Sequence, residues 1–420
     1  MKSGFYTIMA AQFFSSLADN ALLIAAMALL TTMQAPPWMT PLLKLFFALS
    51  YVLLAAFVGA FADSLPKGKV MFITNSIKVV GCLMMFFNVH PLAAYAVVGF
   101  GAAAYSPAKY GILTELLPAE KLVAANGWIE GLTVLSIILG TVLGGQLVDP
   151  RISSMLLKLD FPIIDFPIYS PSDAAITVIT VCYVMAALFN LRIPDTGARY
   201  AHQETNPFRL ITDFASCFKT LWQDKLGQIS LAVTTLFWGA GATLQFIVLK
   251  WAEYSLNLPL YKAAVLQGVF AIGISIGAIA AARFVSLKRS LSVMPLGIAM
   301  GTMVMTMVFV HDVRIAYPLL IIIGGLAGYF VVPMNALLQH RGHVLMSAGH
   351  SIAVQNFNEN LSVLTMLGIY ALMVSLNLNV LVVIVLFGLF VASTMYLVMR
   401  KHAANQREFD SLALIGEHKH

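Results

Sequence analysis

Several ionisable side chains lie inside stretches of the sequence that are otherwise apolar, among them Asp19, Lys109, Glu130 and Glu359. Where such a stretch crosses a bilayer, a lysine near its centre costs about 2.5–3.5 kcal/mol on insertion scales. Each group therefore needs an opposite charge, a proton or a water-filled cavity. Charged groups kept in such a place are candidates for ion pairing, for proton transfer or for binding a charged ligand.

The first apolar stretch carries its polar residues on one helical face. Gln12, Ser16 and Asp19 recur at i, i+4 and i+7, and Asn20 adjoins them. Counting about 1.5 Å per residue places Asp19 near the middle of a membrane. We expect this face to line an interior cavity. The alternative is a structural hydrogen-bond anchor between helices.

A second candidate constellation joins two consecutive stretches. Asn126, Glu130 and Thr133 share a helical face, while Lys109 lies in the preceding stretch, which runs the other way. Lys109 and Glu130 reach similar depths, so we predict an ion pair between them, which would offset much of the cost of each charge. Such a pair would be either a structural lock or part of a moving gate.

Further polar residues occur in the second half of the chain and in the third stretch. Gln355, Asn356 and Glu359 form the densest cluster. Trp238 and Gln245 are candidate ligand contacts, although aromatic side chains at such positions commonly serve packing. Lys78 lies near the inner end of its stretch, where snorkelling or pairing is the expected behaviour.

Composition shows what must position these residues. Hydrophobic residues make up 60% of the 420-residue chain and charged residues 10%, with a mean hydropathy of +0.85. Soluble domains average about 25% charged residues, so lipid must serve as the solvent here. Stretches of about 20 apolar residues can cross the hydrocarbon. We predict an all-α polytopic membrane protein with twelve such stretches, at roughly 5–33, 42–62, 70–89, 91–115, 123–147, 173–191, 226–252, 261–284, 291–310, 314–338, 349–376 and 379–400.

The distribution of basic residues predicts the orientation. With both termini in the cytoplasm, 17 of the 25 lysines and arginines lie on the inner side and 6 on the outer side. This bias follows the positive-inside rule, which also accounts for the pI of about 9.1 without nucleic acid. The N-terminal stretch is too long for a cleavable signal peptide.

Motif searches exclude several classes of protein. No Walker loop, HExxH or nucleophile motif is present, so an ATP-driven pump or a hydrolase is poorly supported, and we expect no enzyme activity. Cys82, Cys182 and Cys217 show no spacing typical of disulfides or of a metal site. We therefore expect no cofactor and no metal.

Internal similarity divides the chain into two halves. The segment EGLTVLS at 130–136 matches ENLSVLT at 359–365, and Pro107 to Lys109 aligns with Pro333 to Asn335. A third match places GAFA at 59–62 against GAIA at 277–280. We predict six-helix bundles at 1–191 and 226–400, a cytoplasmic linker at 192–225 with an amphipathic helix over 208–222, and a tail at 401–420.

Two parallel six-helix repeats resemble the major facilitator superfamily, in which a central site lies between rocking halves. The segment GAFADSLPKGK at 59–69 resembles the signature of that superfamily, with Ser64 where a basic residue is common. Asp63 can cap or pair at a helix end while Lys67 and Lys69 hold a cytoplasmic gate. Lys78 is assigned to the same gate.

Longer motifs resemble one family, the bacterial lysophospholipid transporters. They are QFFSSLADNALL (12–23), GAAAYSPAKYGIL (101–113), ANGWIE (125–130), LFWGAG (236–241), VPMNALLQ (332–339) and AVQN (353–356). The resemblance implies flipping of lysophospholipids, chiefly lysophosphatidylethanolamine, from the outer to the inner leaflet of a bacterial inner membrane. It also implies a functional link to an acyltransferase/acyl-carrier-protein synthetase that restores the missing chain.

The resemblance also implies roles for residues. A zwitterionic headgroup needs acceptors for its ammonium, for which Asp19, Glu130 and Glu359 are candidates, and a donor for its phosphate, for which Lys109 is the candidate. The remaining candidate contacts are Gln12, Asn20, Tyr105, Tyr110, Asn126, Trp238, Gln245, Asn335, Gln355 and Asn356. We expect a monomer in contact with membrane lipids.

Two other functions remain open. One is a proton-coupled exporter of drugs or small amphipathic solutes, with Asp19 or Glu130 carrying the proton. The other is a non-transporting scaffold for acylation enzymes, although a scaffold has no use for charges at mid-membrane. The energy source and headgroup preference are open as well.

Overall fold

A computed structural model describes residues 3–36, 39–156, 170–200, 203–258 and 260–415. Within these ranges the regular structure is helical throughout, with no β-strand. Residues 157–169, between the fifth and sixth predicted stretches, lie outside the described residues. Lys158, Lys2 and Lys419, which entered the count of basic residues, lie outside them as well. The α-helices are α1 Ser3–Thr32, α2 Met39–Leu53, α3 Ala55–Ser64, α4 Lys67–Phe86, α5 Pro91–Leu116, α6 Leu122–Val148, α7 Pro150–Leu156, α8 Pro171–Leu191, α9 Pro207–Gln223, α10 Gly227–Leu256, α11 Leu260–Phe284, α12 Pro295–Met305, α13 Val313–Leu345, α14 Ala348–Ser375 and α15 Val380–Glu408.

Most of these helices are long and apolar enough to cross a membrane. By length and composition ten helical segments of the described chain qualify, or eleven if α2 and α3, bent by 66° at their junction, form one span. The 26-residue α5 is not among them. Every predicted stretch coincides with a helix or an interrupted helix. The all-helical membrane fold is therefore confirmed, while the count of twelve spans and the cytoplasmic termini stay predictions.

The first compact unit comprises Met1–Ile112 and Leu135–Glu204. Its core joins small residues of α1, such as Ala21 and Ala25, to Ile179 and Tyr183 of α8. Gly140 and Gly144 of α6 pack against the α1 backbone so closely that an added Cβ would lie 2.5 Å and 2.7 Å from main-chain oxygens. Small residues are the usual means of close helix contact in lipid, where no hydrophobic force draws helices together.

The second compact unit comprises Leu113–Val134 and Thr205–His420. In it α11 and α13 cross through two Gly-x-x-x-Gly pairs, Gly273 with Gly277 and Gly324 with Gly328. A Cβ on any of these glycines would collide with the main chain of the other helix. This close approach holds α13, which carries several of the candidate site residues, in a defined place.

The linker contains the expected amphipathic helix, α9. Phe214 and Phe218 of α9 contact the ring of Phe357 on α14, with centroid separations of 5.5 and 6.1 Å. Leu221, fully buried, completes the apolar face. The helix is therefore fastened to the second unit.

Two features differ from the predicted domain limits. Residues 113–134 group with the second unit although they precede the linker. Helix α15 ends at Glu408 and so includes the first eight residues of the predicted tail. Contacts from the start of α6 to α13 account for the first difference. The limits themselves stay predictions.

Candidate functional site

In the first unit an ion pair joins Lys78 of α4 to Asp19 of α1. The Lys78 ammonium lies 2.9 Å from each carboxylate oxygen of Asp19 and 3.0 Å from the Ser15 hydroxyl. Ser15 in turn donates to Asn75 Oδ1 at 2.8 Å. Helical spacing explains the arrangement, because Ser15 and Asp19 are i, i+4 on one helix and Asn75 and Lys78 are i, i+3 on the other.

Two tyrosines complete this cluster. The Tyr183 hydroxyl of α8 donates to Asp19 Oδ1 at 2.6 Å. The Lys78 ammonium also lies 5.0 Å from the ring centroid of Tyr105 and 5.5 Å from that of Tyr183, within the range of cation–π attraction. Lys78 is 1% exposed, whereas the Asp19 side chain is 20% exposed. We call Ser15, Asp19, Asn75, Lys78, Tyr105 and Tyr183 the ammonium cage.

The sequence around Gly101 makes room for the lysine. A Cβ at Gly101 of α5 would lie 2.8 Å from Lys78 Cγ and 2.8 Å from the Thr74 carbonyl oxygen. The small residues that follow, Ala102 and Ala103, are buried as well. The run of small residues in α5 therefore lets the lysine stem lie along that helix.

This geometry distinguishes between the two behaviours expected of Lys78, pairing and snorkelling, and shows pairing. Lys78 does not snorkel toward the cytoplasmic surface, because its ammonium is held inside the unit by Asp19 and Ser15. Its place in a cytoplasmic gate stays a prediction. Asp19 does lie on an interior polar face, but the α1 hydroxyl that joins it is Ser15, while Asn20 bonds back to the Ser16 carbonyl.

The second unit contains a network of carboxamides between two carboxylates. Gln355 Nε2 lies 2.7 Å from Glu359 Oε1 and 3.0 Å from Asn335 Oδ1. Asn335 Nδ2 reaches Glu130 Oε1 at 3.4 Å, a weaker contact. All four side chains are at least nine-tenths buried. We call these residues, with Asn126 and Gln339, the amide network.

Asn126 and Gln339 form a reciprocal amide pair. Each side-chain NH₂ donates to the oxygen of the other at 2.9 Å, and Asn126 also donates to the Leu122 carbonyl of its own helix. The oxygen Gln355 Oε1 is buried without a hydrogen bond among the described residues. An unused acceptor of this kind in a polar cluster can receive a donor from water or from a ligand.

The predicted pair between Lys109 and Glu130 stays a prediction. Lys109 belongs to the first unit and Glu130 to the second. Lys109 is buried, and its ammonium lies 4.1 Å from the ring centroid of Tyr110, the next residue.

The remaining candidates are dispersed. Gln12 and Asn356 are buried, and Trp238 is half-buried with its ring 5.6 Å from that of Phe237. Gln245 is exposed and exchanges hydrogen bonds of 3.0 Å with Gln267 of α11, a residue that the sequence reasoning missed.

The turn between α3 and α4 holds two of the expected gate residues together. Lys67 lies 2.6 Å from Asp63 Oδ1 and 2.7 Å from the Ala62 carbonyl oxygen, and the pair is almost fully buried. The Lys67 ammonium also lies 4.8 Å from the ring of Tyr200. Lys69 is exposed. The pairing of Asp63 exists, while its role in a gate stays a prediction.

Sequence reasoning did not predict a buried ion pair in the second unit, between Arg341 and Asp224. Arg341 of α13 contacts both carboxylate oxygens of Asp224, at 2.7 and 3.2 Å, and donates to the Leu414 carbonyl at 3.2 Å. Asp224 also accepts from the backbone N–H of Gly227, at the start of α10. This pair fastens the end of α13 to the α9–α10 turn and to the chain after α15. Arg341 follows the predicted apolar stretch 314–338 and was counted only as a basic residue of a loop. That count does not predict an ion pair.

Comparison with known proteins yields concordant matches in sequence. A family model described as Major Facilitator Superfamily matches residues 8–363. The lysophospholipid transporter LplT of Yersinia enterocolitica is 41% identical over 381 residues, covering 90% of this chain and 89% of that protein. The LplT of Yersinia pestis (strain Pestoides F) is 42% identical over 377 residues, covering 90% and 88%.

Solved structures of low sequence identity share the fold. The transporter FucP in its outward conformation superposes with a TM-score of 0.71 at 13% identity, covering 95% of this chain and 98% of that one. A bacterial homologue of the iron transporter ferroportin, in an outward-facing state, gives 0.70 at 14% identity, covering 96% and 100%.

Proposed function

This chain belongs to the major facilitator superfamily and, within it, to the family of the lysophospholipid transporters, and we propose that it carries lysophospholipids across a membrane. The identity of 41–42% extends over nine-tenths of the chain and so includes both units. That similarity is the observation that carries the proposal. Transport in this superfamily proceeds by alternating access.

The buried polar groups suit a zwitterionic headgroup. An ammonium requires carboxylate or aromatic partners, and the ammonium cage contains both around Asp19. Phosphate oxygens require N–H or cationic donors. Lys109 offers a cationic donor, and the carboxamides of the amide network offer N–H groups. The acyl chain needs no polar partner and stays among apolar side chains or in lipid.

Several finer points belong to the same proposal. Transport runs from the outer to the inner leaflet of a bacterial inner membrane, with both termini in the cytoplasm, and lysophosphatidylethanolamine is the principal substrate. An acyltransferase/acyl-carrier-protein synthetase then restores the missing chain. The protein acts as a monomer and performs no catalysis itself.

Reconstitution into proteoliposomes tests this function. We expect labelled lysophosphatidylethanolamine to move between leaflets faster than in protein-free vesicles, with saturation at high substrate. Replacing Lys109 by glutamine should reduce the rate strongly. The matched control is Lys250→Gln, because Lys250 is exposed and pairs only loosely with Glu253 at 3.4 Å.

The same assay distinguishes the rival functions. A proton-coupled exporter would stop when the proton gradient is collapsed and would prefer small solutes over lysolipid. A scaffold would move neither. A rate for Lys109→Gln equal to that of wild type would remove Lys109 from the mechanism.

A further inference from the structure

Helix α11 presents a stripe of large aliphatic side chains on its outside. Four residues spaced by seven, four and three positions share one helical face, namely Val265, Ile272, Ile276 and Ile279. Their side chains are 49–63% exposed. In a helix that crosses a membrane, an exposed face of this composition lies against the acyl chains of the lipid.

A cation ends this stripe. Arg283 follows Ile279 by four residues, lies on the same helical face and is exposed. It comes 18 residues after Val265, which at about 1.5 Å per residue is about 27 Å along the helix. The hydrocarbon of a bilayer is about 30 Å thick. When the aliphatic stripe lies in hydrocarbon, the guanidinium of Arg283 therefore lies at the level of the lipid headgroups.

Two more cations follow on a supported turn. Lys288 and Arg289 are exposed within a short 3₁₀ helix, Leu287–Val293. Leu287 and Leu291 of this helix are buried, and the helix packs against α13. The cations are thus presented on backbone that is held in place. We call Arg283, Lys288 and Arg289 the basic turn.

No acid of the surrounding sequence neutralises the basic turn. Aspartate and glutamate are absent between Glu253 and Asp312. Across the residues that the structure describes, the side chains of the three cations take part in no ion pair or hydrogen bond. Their charges are therefore available to an anion from outside the chain.

The corresponding turn of the first unit neutralises its own charge. There Asp63 binds Lys67 in a buried ion pair. In the internal alignment that places 59–62 against 277–280, the position of Asp63 is taken by Ala281. The second unit has thus replaced an internal pair by three exposed cations.

From these observations we propose that the basic turn binds the headgroups of anionic diacyl phospholipids in the leaflet that it faces. Arginine and lysine donate charge-assisted hydrogen bonds to phosphate oxygens. The occupant is a lipid because the turn continues the lipid-facing stripe of α11, and the exposed ring of Phe284, next to Arg283, is of the kind enriched at this level of a membrane. On the orientation proposed above, this leaflet is the cytoplasmic one. The inference goes beyond lysophospholipid transport and does not require it.

Melting of the full-length protein in mixed micelles tests the proposal. Phosphatidylglycerol, an anionic probe, should raise the melting temperature of wild type more than zwitterionic phosphatidylcholine does, and added salt should reduce that difference. In Arg283→Gln/Lys288→Gln/Arg289→Gln the difference should nearly disappear. A basic residue near an anionic surface contributes about fivefold in affinity, so the apparent affinity for phosphatidylglycerol should fall about 100-fold.

A matched variant controls for net charge. Lys250→Gln/Lys262→Gln/Arg314→Gln removes three charges from exposed residues near the other end of the unit and should keep the response of wild type. In phosphatidylcholine alone the basic-turn variant should melt with wild type. Arg283→Gln alone should weaken phosphatidylglycerol about fivefold, which tests the turn even if the triple variant does not fold.

Three results would overturn the proposal. The first is a response to phosphatidylglycerol that survives in the basic-turn variants. The second is an equal loss in the control, which would show an effect of net charge alone. The third concerns soluble anions: inorganic phosphate and a glutamate peptide should shift wild type and the triple variant equally. If either stabilises wild type through the three cations as much as phosphatidylglycerol does, the turn binds a soluble partner and not a lipid. Transport is not measured, so each result is independent of the proposed function.

Discussion

The ammonium cage and the amide network balance buried charge in different ways. In the cage a carboxylate is neutralised at 2.9 Å by a lysine of the same unit. In the network Asn335 and Gln355 donate carboxamide hydrogen bonds to Glu130 and Glu359, which is one part of the surroundings of these carboxylates. A carboxamide stabilises a negative charge without cancelling it, whereas an ammonium cancels it.

The two clusters should therefore differ in the ligands that they can accept. Breaking an ion pair leaves a full charge uncompensated, so the cage should accept only a replacement of the same charge. Amides can donate and accept, so the network can reorganise around water or a neutral group. On the proposed function, we therefore expect the cage to depend on the charge of a ligand and the network to adapt its hydrogen bonds.

The largest expected effect is that of removing the lysine alone. Lys78→Met leaves Asp19 buried without its cation, which costs about 3 kcal/mol, toward the lower end for broken buried pairs because the Asp19 side chain is partly exposed. Chemical or thermal unfolding in detergent measures the loss. Asp19→Asn/Lys78→Met, which removes both charges, should recover most of it. A double variant as unstable as the single one would show that packing of the lysine stem, and not charge, stabilises the cage.

A change in volume beside the lysine should have the next largest effect. Gly101→Ala places a methyl group 2.8 Å from Lys78 Cγ and from the Thr74 carbonyl oxygen. Overpacking of this kind costs about 1–3 kcal/mol. The control is Gly145→Ala in the same unit, where no atom lies within 4 Å of the added Cβ. If both variants melt alike, the close approach of α5 to α4 is not what positions Lys78.

Breaking the amide network should cost less. Gln355→Leu removes a donor to Glu359 and to Asn335, which should lower the free energy of unfolding by about 1–2 kcal/mol. Asn360→Leu is the control, because Asn360 donates only to the Asn356 carbonyl within its own helix. A loss for Gln355→Leu as large as that for Lys78→Met would contradict the contrast between the two clusters.

The smallest effect belongs to an ion pair outside the spans. Asp195 and Arg199 are exposed and joined by two hydrogen bonds of 2.6 and 3.0 Å. The Arg199 side chain and then the Gly197 N–H lower the pKa of Asp195 to about 2. Any contribution of this ion pair to the free energy of unfolding is therefore present above the ordinary pKa of a carboxyl group. It is lost only as the pH falls toward 2. Arg199→Ala should leave the melting temperature unchanged between pH 5 and pH 8. A lower melting temperature in that range would show that this ion pair stabilises the protein despite its exposure to solvent.

Periodicity in the sequence predicted features that depend on a single helix. The helix over 208–222 is present as α9, and the polar face of the first stretch does carry Asp19 on an interior side. Asp63 and Lys67, four residues apart across the turn between α3 and α4, are paired. These features depend on residues close together in the chain, so local backbone geometry is enough to produce them.

Contacts between helices far apart in the chain were not predictable in the same way. Lys78 meets Asp19 across 59 residues, and Asn126 meets Gln339 across 213. Sequence spacing gives the depth of a residue along its helix, but not the rotation of that helix or the identity of its neighbour. Depth alone made Lys109 the expected partner of Glu130, which stays a prediction, and it gave no indication of Tyr183 beside Asp19.

Headgroup selectivity, compared between one variant of each cluster, tests the contrast between the ammonium cage and the amide network. Uptake of ethanolamine and glycerol lysolipids into proteoliposomes would be measured for wild type, Asp19→Asn/Lys78→Met and Gln355→Leu. We expect the preference for the ethanolamine lipid to fall to about one in the cage variant, as loss of a charge-assisted contact implies. In Gln355→Leu both uptake rates should fall while their ratio stays that of wild type. A cage variant that keeps the preference, with a network variant that loses it, would contradict the account.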